Sequence, residues 1–442
     1  MIHKVIRKTA FTLIALSILF ALYPINLTYS STHAYVSNSF DNTVSVVRIS
    51  DNSVITDVAV GKWPYGVAVD PKGDYVYVTN GGENSLSVIR TDANTVAASI
   101  RVGCSPGGIV VSPNGAYVYV ANNDDSSVSV IDTASNTVIT SVDVGLWPEG
   151  MAVSPDGDYV YVANTGDGTI SVIETAANIV AATITVGRGP YGIAVAPRGD
   201  AAYVANTQDN TVTVLRTADN VVTATIPVGR RPIGIAVTPD SQYVFVATSE
   251  DNTVSVIGGS DHSVITTIEV GEWPYGIATT PDGDYVYVTN IADDTVSVIR
   301  TSDAIVTATV PVGADPYSLG NFIANVPDGP ADDDVDPGHL GSASASPSSG
   351  GGGGGGYFIT TASCWPSGER HGKVPGTRQD RHHTGKSLDH ALIKLFFSHA
   401  LRFANSSSPH ASLYVPAFRV MLLLAGTALT ARFAAFVATA KA

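Results

Sequence analysis

The sequence is poor in cysteine. It has two cysteines, Cys104 and Cys364, in 442 residues. Two cysteines in separate regions are too few for the disulfide framework of a small secreted domain. We therefore expect Cys104, which stands just before a Pro-Gly loop, to be a free thiol.

Catalytic groups are also scarce. Residues 31–326 hold two histidines, His33 and His262, at unrelated positions. The sequence shows no His/Cys/Asp cluster with metal-ligand spacing, no serine in a nucleophile elbow and no glycine-rich phosphate loop before a helix. A haem would need an axial His, Met, Cys or Tyr, and only Tyr is plentiful. The sequence therefore predicts no metal and no cofactor, and it favours a non-catalytic protein.

Positive charge is rare in the same region. Residues 31–326 carry 11 basic and 31 acidic residues. Such an acidic surface disfavours binding to nucleic acid and to anionic membranes. Helical periodicity is missing there as well, so an all-β fold is expected.

What the sequence has in abundance is one repeated unit. The Tyr of a "YV-N" motif recurs every 42 residues, with Phe245 in the same slot. The other positions are Tyr35, Tyr77, Tyr119, Tyr161, Tyr203 and Tyr287. Each unit reads as four short runs of alternating Val, Tyr, Ile and Thr, separated by Pro, Gly, Asn and Asp turns. A four-stranded repeat of this length is typical of one blade of a β-propeller.

Seven units predict a seven-bladed β-propeller of four-stranded antiparallel blades. The chain enters the repeat region with three strand-like runs and leaves it with one, at residues 316–323. Three runs and one run complete a blade, so we expect 316–323 to pair with the first blade and close the ring. Closure protects strand edges that would otherwise template aggregation.

The motifs "YVTN", "PDGDYVYV" and "DNTVSVI" resemble those of the YVTN-family β-propellers, which include repeats of archaeal and bacterial surface-layer proteins. The resemblance covers about residues 34–323. It implies a secreted seven-bladed propeller and implies no reaction. Distant propeller relatives include lactonase-like enzymes and haem-binding reductase domains, so the fold alone does not exclude an enzyme.

The two ends predict further segments. Residues 1–30 combine Lys4, Arg7 and Lys8 with an apolar run and then small residues, which is typical of a secretory signal peptide. The alternative is an uncleaved membrane anchor. Residues 31–326 are the predicted propeller, and 327–356 read as an acidic, Gly/Ser-rich linker. The expected location is extracellular or at the cell surface.

The C-terminal segment, residues 357–442, has no core-forming pattern. It begins with "YFITTAS", which resembles a short "CFIATAA" box near the C-terminus of some secreted bacterial proteins, with Tyr357 in place of the Cys. Its composition is what a reading-frame slip near the glycine run would give. A genuine domain is the alternative.

Candidate ligand-binding residues lie in the loops between the fourth strand of one blade and the first strand of the next. These loops carry the three tryptophans of the predicted propeller together with tyrosines and charged residues. The candidates are Trp63, Tyr65, Trp147, Glu149, Tyr191, Arg231, Trp273, Tyr275 and Tyr317. Trp, Tyr and Arg dominate binding hot spots, which favours a recognition surface. The alternative is that these rings fill gaps between neighbouring blades.

Two other patterns have a functional and a structural interpretation. Every unit has an acidic residue in its second-to-third loop, at Asp41, Glu83, Asp125, Asp167, Asp209, Asp251 and Asp293. Seven copies favour Asx-type turns over a ring of cation ligands, because Ca²⁺ needs six to eight converging oxygens. The triplet Arg198-Gly199-Asp200 stands where sister units read "PDGDY". We expect the same turn there.

The sequence thus supports two main functions. The first is a secreted or envelope-associated, monomeric propeller that binds a protein or a glycan through the tryptophan-bearing loops without catalysis. The second is a lactonase-like hydrolase or cofactor carrier that uses the central channel. A weaker third is a surface-layer building block with self-contacts only.

Overall fold

The computed structural model describes residues 30–327. These residues form 28 β-strands in seven four-stranded antiparallel sheets. The predicted seven-bladed propeller is therefore confirmed. The described residues contain no helix with the length and hydropathy that a membrane span requires. The proposed signal peptide before Ser30, the remainder of the linker and the segment 357–442 lie outside the described residues.

Each blade is given by its strands in spatial order from first to fourth. Blade 1 contains β28 (Ile323–Pro327), β1 (Ser30–Asn38), β2 (Thr43–Arg48) and β3 (Ser53–Ala59); blade 2, β4 (Pro64–Val69), β5 (Tyr75–Asn80), β6 (Ser85–Arg90) and β7 (Thr95–Arg101); blade 3, β8 (Pro106–Val111), β9 (Tyr117–Asn122), β10 (Ser127–Asp132) and β11 (Thr137–Asp143); blade 4, β12 (Pro148–Val153), β13 (Tyr159–Asn164), β14 (Thr169–Glu174) and β15 (Ile179–Thr185). Blade 5 contains β16 (Pro190–Val195), β17 (Ala201–Asn206), β18 (Thr211–Arg216) and β19 (Val221–Pro227); blade 6, β20 (Pro232–Val237), β21 (Tyr243–Thr248), β22 (Thr253–Gly258) and β23 (Val264–Glu269); blade 7, β24 (Pro274–Thr279), β25 (Tyr285–Asn290), β26 (Thr295–Arg300) and β27 (Ile305–Pro311).

The first strands line the centre of the ring and the fourth strands form its outside. The first strands contact the first strands of the neighbouring blades, as β4 does with β8. The fourth strands are mostly exposed, with one buried residue near the end, as in β7. The second and third strands are buried almost throughout. This layering follows from alternation, because a strand between two packed sheets must be apolar on both faces.

The repeated Tyr packs between blades, as its spacing predicts. Tyr77 lies in one apolar cluster with Ile109, Val118 and Val120 of the next blade. Tyr161 likewise packs into a cluster that extends to the following blade. Each blade therefore buries one face against its neighbour and cannot be stable alone.

The Asn of the motif ties three parts of a blade together. Asn80 Nδ2 donates hydrogen bonds to the hydroxyls of Ser85 (3.0 Å) and Ser87 (2.9 Å) on the third strand. The same pair of bonds recurs at Asn38, Asn122, Asn164, Asn206 and Asn290. A Cβ on Gly61 would lie 2.5 Å from the Asn80 side chain. The glycine that precedes the fourth-to-first loop is therefore required by the Asn beside it in six of the seven blades.

Ring closure is confirmed, but the closing strand lies further along than residues 316–323. Pro316 makes only an isolated bridge to Asn38, and the ladder with β1 is formed by β28, where Ile323 pairs with Ala34. Pro316 and Ile323 are seven residues apart along the chain, whereas the equivalent residues of blade 2, Pro64 and Val69, are five residues apart. The extra length lets the chain detour to blade 2.

The detour is held by backbone hydrogen bonds. Val67 N donates to Leu319 O (3.2 Å) and Val69 N donates to Asn321 O (3.1 Å). Gly320 adopts φ +128°, a conformation open chiefly to glycine. The closing segment therefore contacts two blades, which the simple repeat pattern did not predict.

The state of Cys104 differs from the prediction. It is buried and disulfide-bonded, so the prediction of a free thiol is wrong. The other cysteine, Cys364, lies outside the repeat, and the repeat pattern therefore held no information about pairing.

A pair of phenylalanines tests the contribution of the closing segment. Phe322 is fully buried in the cluster shared by blade 1 and its neighbours, whereas Phe40 is 76% exposed. We expect Phe322→Ala to lower the free energy of unfolding by about 3–5 kcal/mol in urea denaturation, because a large cavity replaces the ring. Phe40→Ala should change it by less than about 0.5 kcal/mol. Equal transitions for the two variants would contradict a closing role for this segment.

Candidate functional site

The fourth-to-first and second-to-third loops share one face of the ring. In blade 2, Gly81 N donates to Trp63 O (3.0 Å), which joins the two loops. The equivalent bond recurs in blade 4, where Thr165 N donates to Trp147 O (3.0 Å). We call the surface formed by these two sets of loops the tryptophan face, because it carries Trp63, Trp147 and Trp273.

The backbone of each of the three tryptophans is in a left-handed conformation. Trp63, Trp147 and Trp273 have φ of 53°, 53° and 56°. In two of these loops an Asn of the preceding blade accepts the tryptophan amide: Trp63 N donates to Asn42 Oδ1 (3.0 Å), and Trp273 N donates to Asn252 Oδ1 (3.1 Å). Left-handed conformations are uncommon for bulky residues. The loops are therefore held by their neighbours and are not free to rearrange.

Trp63 and Trp147 each lie over a glycine of their own blade. A Cβ on Gly82 would approach the Trp63 ring to 3.1 Å, and a Cβ on Gly166 would approach the Trp147 ring to 3.1 Å. One face of the Trp63 and Trp147 indoles is thus packed. The exposed fractions are 54% for Trp63, 54% for Trp147 and 37% for Trp273. The tryptophans do not fill gaps between blades.

Arg231 lies against one of these rings. Its guanidinium carbon is 5.3 Å from the centroid of the Trp273 ring, a cation–π distance. Arg231 Nη1 also lies 3.9 Å from Glu250 Oε1. The other arginines of these loops are committed to carboxylates: Arg188 to Asp209 and Arg230 to Asp251, both at 2.6 Å.

The tyrosine candidates converge at the centre of the ring. Tyr65, Tyr191 and Tyr275 come from blades 2, 5 and 7, yet their hydroxyls contact one another. Tyr317 packs on Tyr65 with ring centroids 5.0 Å apart and on Tyr275 at 4.9 Å. We call these four residues the tyrosine cluster. Tyr65, Tyr191 and Tyr275 therefore pack across the central axis, and Tyr317 packs on the tyrosines of the two blades beside it.

Glu149 joins the tyrosine cluster from blade 4. Asn123 Nδ2 donates to Glu149 Oε1 (2.7 Å), and Tyr191 donates to the same carboxyl group. Burial raises the pKa of Glu149 to about 8, and the nearby charge of Asp124 adds to the rise, while the Tyr191 hydrogen bond opposes it. Burial also raises the pKa of Tyr65 and Tyr191 well above the usual value. At neutral pH the centre of this face is therefore uncharged and rich in hydroxyls.

Two residues that hold Glu149 were not predicted. Gly107 leaves room for the carboxyl, since a Cβ there would lie 3.0 Å from Glu149 Oε2. Asn123 stands where three sister blades have a hydroxyl that binds the next blade's proline carbonyl, as Thr165 Oγ1 does with Pro190 O (2.7 Å). The sequence signal was present, because one unit changes this hydroxyl to an amide and the next unit has the glutamate.

The acidic ring is structural. Asp167 Oδ2 accepts a hydrogen bond from Leu146 N (2.7 Å), so the carboxylate ties the second-to-third loop to the fourth-to-first loop. The same bond joins Asp41 to Ala314, Asp125 to Cys104, Asp209 to Arg188, Asp251 to Arg230 and Asp293 to Glu272. The expected turn within the hairpin is thus replaced by a bond between two loops. Within residues 30–327, no group of three or more His, Cys, Asp or Glu side chains could hold a metal ion.

The Arg198-Gly199-Asp200 triplet takes the same turn as its sister units, as expected. Gly199 has φ +76°, close to +77° at Gly73 and +81° at Gly157. Arg198 Nη2 donates to Asp240 O (2.8 Å) of the next blade. The triplet is on the face opposite to the tryptophan face.

The raised pKa of Glu149 predicts a pH-dependent stability. Because the folded state holds the proton up to about pH 8 while the unfolded chain releases it near its ordinary value of 4.5, stability should fall as pH rises between these values. Glu149→Gln keeps the hydrogen-bond acceptor and removes the titration. We expect it to be more stable than the parent by about 2–4 kcal/mol at pH 8.5 and equal to it at pH 4, in urea denaturation across pH.

Glu272→Gln, an exposed glutamate of the same face, serves as the control and should follow the parent. A parent and a Glu149→Gln variant with parallel pH profiles would show that Glu149 ionises normally.

Comparisons with known proteins agree with the fold. A family model described as a lactonase, 7-bladed beta-propeller, matches residues 94–179 and 175–305. The solved structure of Kuenenia stuttgartiensis hydrazine synthase is similar with a TM-score of 0.57 and 23% identity, over 61% of this chain and 92% of that chain. A functionally unknown protein from Desulfotomaculum acetoxidans gives 0.59 and 17%, over 67% and 99%.

No curated protein matches the chain. Identities this low show the fold alone, and the resemblance to surface-layer repeat proteins stays a prediction. The chain is a seven-bladed β-propeller that is similar to the lactonase propellers over residues 94–305.

Proposed function

We propose that this chain is a non-catalytic binding module, acting outside the cell, that holds a protein partner on the tryptophan face. The observation that carries the proposal is the exposure of three indole rings on one face, each presented by a loop with a fixed conformation. The extracellular location rests on the N-terminal sequence pattern alone.

The composition of the face supports a protein partner. Besides the tryptophans, Phe40 and Leu146 are largely exposed in its loops. Aromatic and apolar anchors beside an arginine are typical of the energetic centre of a protein interface. The tyrosine cluster adds uncharged hydroxyls at the centre of this surface.

The order of these loops favours tight binding relative to the area of the interface. Asp167 and its counterparts bind backbone amides of the facing loops, and Asn42 and Asn252 bind the tryptophan amides. A surface whose loops are already ordered loses less conformational entropy when it binds. Such a face suits a partner recognised by shape.

The partner can be sought by affinity capture from an extract of the cell envelope, with the full chain as bait. Changing Trp63, Trp147 and Trp273 together to Ala should weaken capture at least tenfold, because the main apolar anchors are lost. The matched control changes three exposed isoleucines of the outer strands, Ile139, Ile179 and Ile265, to Ala. Those residues have similar exposure but lie away from the tryptophan face, so the control should capture as the parent does.

Melting temperatures of both triple variants confirm that each is folded. Equal loss of capture in the two, or no loss in the tryptophan variant, would contradict the proposal.

A lactonase-like hydrolase is the second candidate, because the family model matches part of the ring. Glu149 is then the group of interest: a carboxyl with a pKa of about 8 near the central axis is suited to general acid–base catalysis. Hydrolysis of a panel of γ- and δ-lactones by the parent, lost in Glu149→Gln, would replace the binding proposal with this one.

A further inference from the structure

The face opposite to the tryptophan face has a groove at blade 5. Its volume is about 840 Å³, and it is lined by residues of blades 4, 5 and 6. The polar lining includes Asp156, Arg198, Asp200, Arg216, Asn220 and His262. None of the proposed binding residues of the tryptophan face lies in it.

The groove exists because the repeat is broken at this place. Ala201 begins the second strand of blade 5, where five sister blades begin it with Tyr, as at Tyr159 and Tyr243. In the adjoining blade 6, Gly258-Gly259 stands where blade 5 has Arg216-Thr217. Of these positions, Ala201 and Gly259 line the groove, so a Tyr and a Thr of the repeat are replaced by small residues around this space. In a chain whose units are nearly identical, coincident losses on two adjacent blades point to a site.

The wall of the groove also holds polar atoms without partners. Asn220 Oδ1 and His262 Nδ1 are buried and make no hydrogen bond. The same oxygen lacks a partner at the equivalent Asn94 and Asn178, which do not line the groove, so this feature belongs to the repeat position and not to the groove alone. His262 itself replaces the Asn of sister loops, such as Asn52 and Asn136.

The charges of the groove are balanced. Arg216 is already paired with Asp219, with its Nη2 2.6 Å from the carboxylate. Arg198 uses one nitrogen on a backbone carbonyl, and Asp200 lies beside it on the same turn. Donors and acceptors are therefore both available, with no excess of either charge. An anionic ligand would meet Asp156 and Asp200, and a purely apolar ligand would leave the polar wall unsatisfied.

One aromatic surface completes the groove. The ring of Tyr159 lines it and is 37% exposed. An open aromatic face beside guanidinium, carboxylate and amide groups matches a molecule with C–H faces and many hydroxyls. A hydroxyl both donates and accepts, so it can pair with each kind of group in this wall.

We propose that the groove at blade 5 binds a neutral mono- or disaccharide, with the sugar ring on Tyr159 and its hydroxyls on Arg198, Asp200 and Asn220. This inference is independent of the protein-binding role, since the two surfaces are on opposite faces. The chain would then carry two separate recognition sites.

The test restores the residue of the sister blades. Ala201→Tyr rebuilds the side chain that five other blades carry, so it should fold, and it should fill the groove. Saturation-transfer NMR and calorimetry with glucose, galactose, mannose, N-acetylglucosamine and their disaccharides measure binding to the full chain. We expect at least one of these sugars to bind the parent with a millimolar or lower dissociation constant, and binding to weaken at least tenfold in Ala201→Tyr.

Two further variants serve as a control and as a second test of the groove. Ala93→Tyr introduces the same side chain in an exposed loop on the same face of blade 2, and it should bind sugar as the parent does. Asn220→Ala leaves the groove open and removes its amide. Ala304 occupies the equivalent left-handed position of blade 7, so this variant is expected to fold and to bind at least fivefold more weakly.

Three outcomes would overturn the proposal. The first is no binding of any of these sugars at 50 mM, a concentration well above the millimolar dissociation constant that we expect. The second is unchanged binding in both Ala201→Tyr and Asn220→Ala with the parent's melting temperature. The third is tighter binding of glucuronate or inorganic phosphate than of any neutral sugar, which would make the groove an anion site. The tryptophan triple variant should keep its sugar binding, which separates this test from that of the protein-binding role.

Discussion

The buried amide of the Asn that ends the second strand in six of the seven blades is the interaction on which the blade depends. It joins the second strand to two hydroxyls of the third strand, and its bulk forces a glycine into the turn that enters its own blade from the preceding one. The turn then has one path, and that path sets the position of the loop above it. The carboxylates of the second-to-third loops bind the same loops from the other side. A hydrogen-bond network inside the blade therefore determines the shape of the tryptophan face.

The fold was predictable because its information is repeated. A period of 42 residues without insertion, with four strand-like runs per unit, left few architectures open. The closing strand was misplaced because it is the one part of the ring that departs from the period. Its two extra residues are used on contacts with blade 2, and nothing in the sister units encodes such contacts.

The candidate site was predictable as a set of residues but not as an arrangement. The loop positions were identified from their aromatic content, and they do lie on one face. That set contained two groups, however. Positions equivalent to Tyr65 begin the innermost strands, so their side chains meet at the axis, whereas positions equivalent to Trp63 lie further out. The distinction depends on which strand is innermost and on the reach of a tyrosine across the ring, and neither is a local property of the sequence. The groove at blade 5 was harder still to predict, since its signal is the absence of side-chain bulk at Ala201 and Gly259.

The meeting of Tyr65, Tyr191 and Tyr275 has a mechanical consequence. Neighbouring blades are held by the packing of their faces, but these three hydroxyls connect blades that are not neighbours. The three side chains extend inward from separate blades and meet at the centre of the ring. A force or fluctuation that spreads the ring at one seam must also pull apart contacts on the far side of the molecule. The ring is thus braced across its diameter as well as around its circumference, and its loops keep their spacing when one blade is pulled.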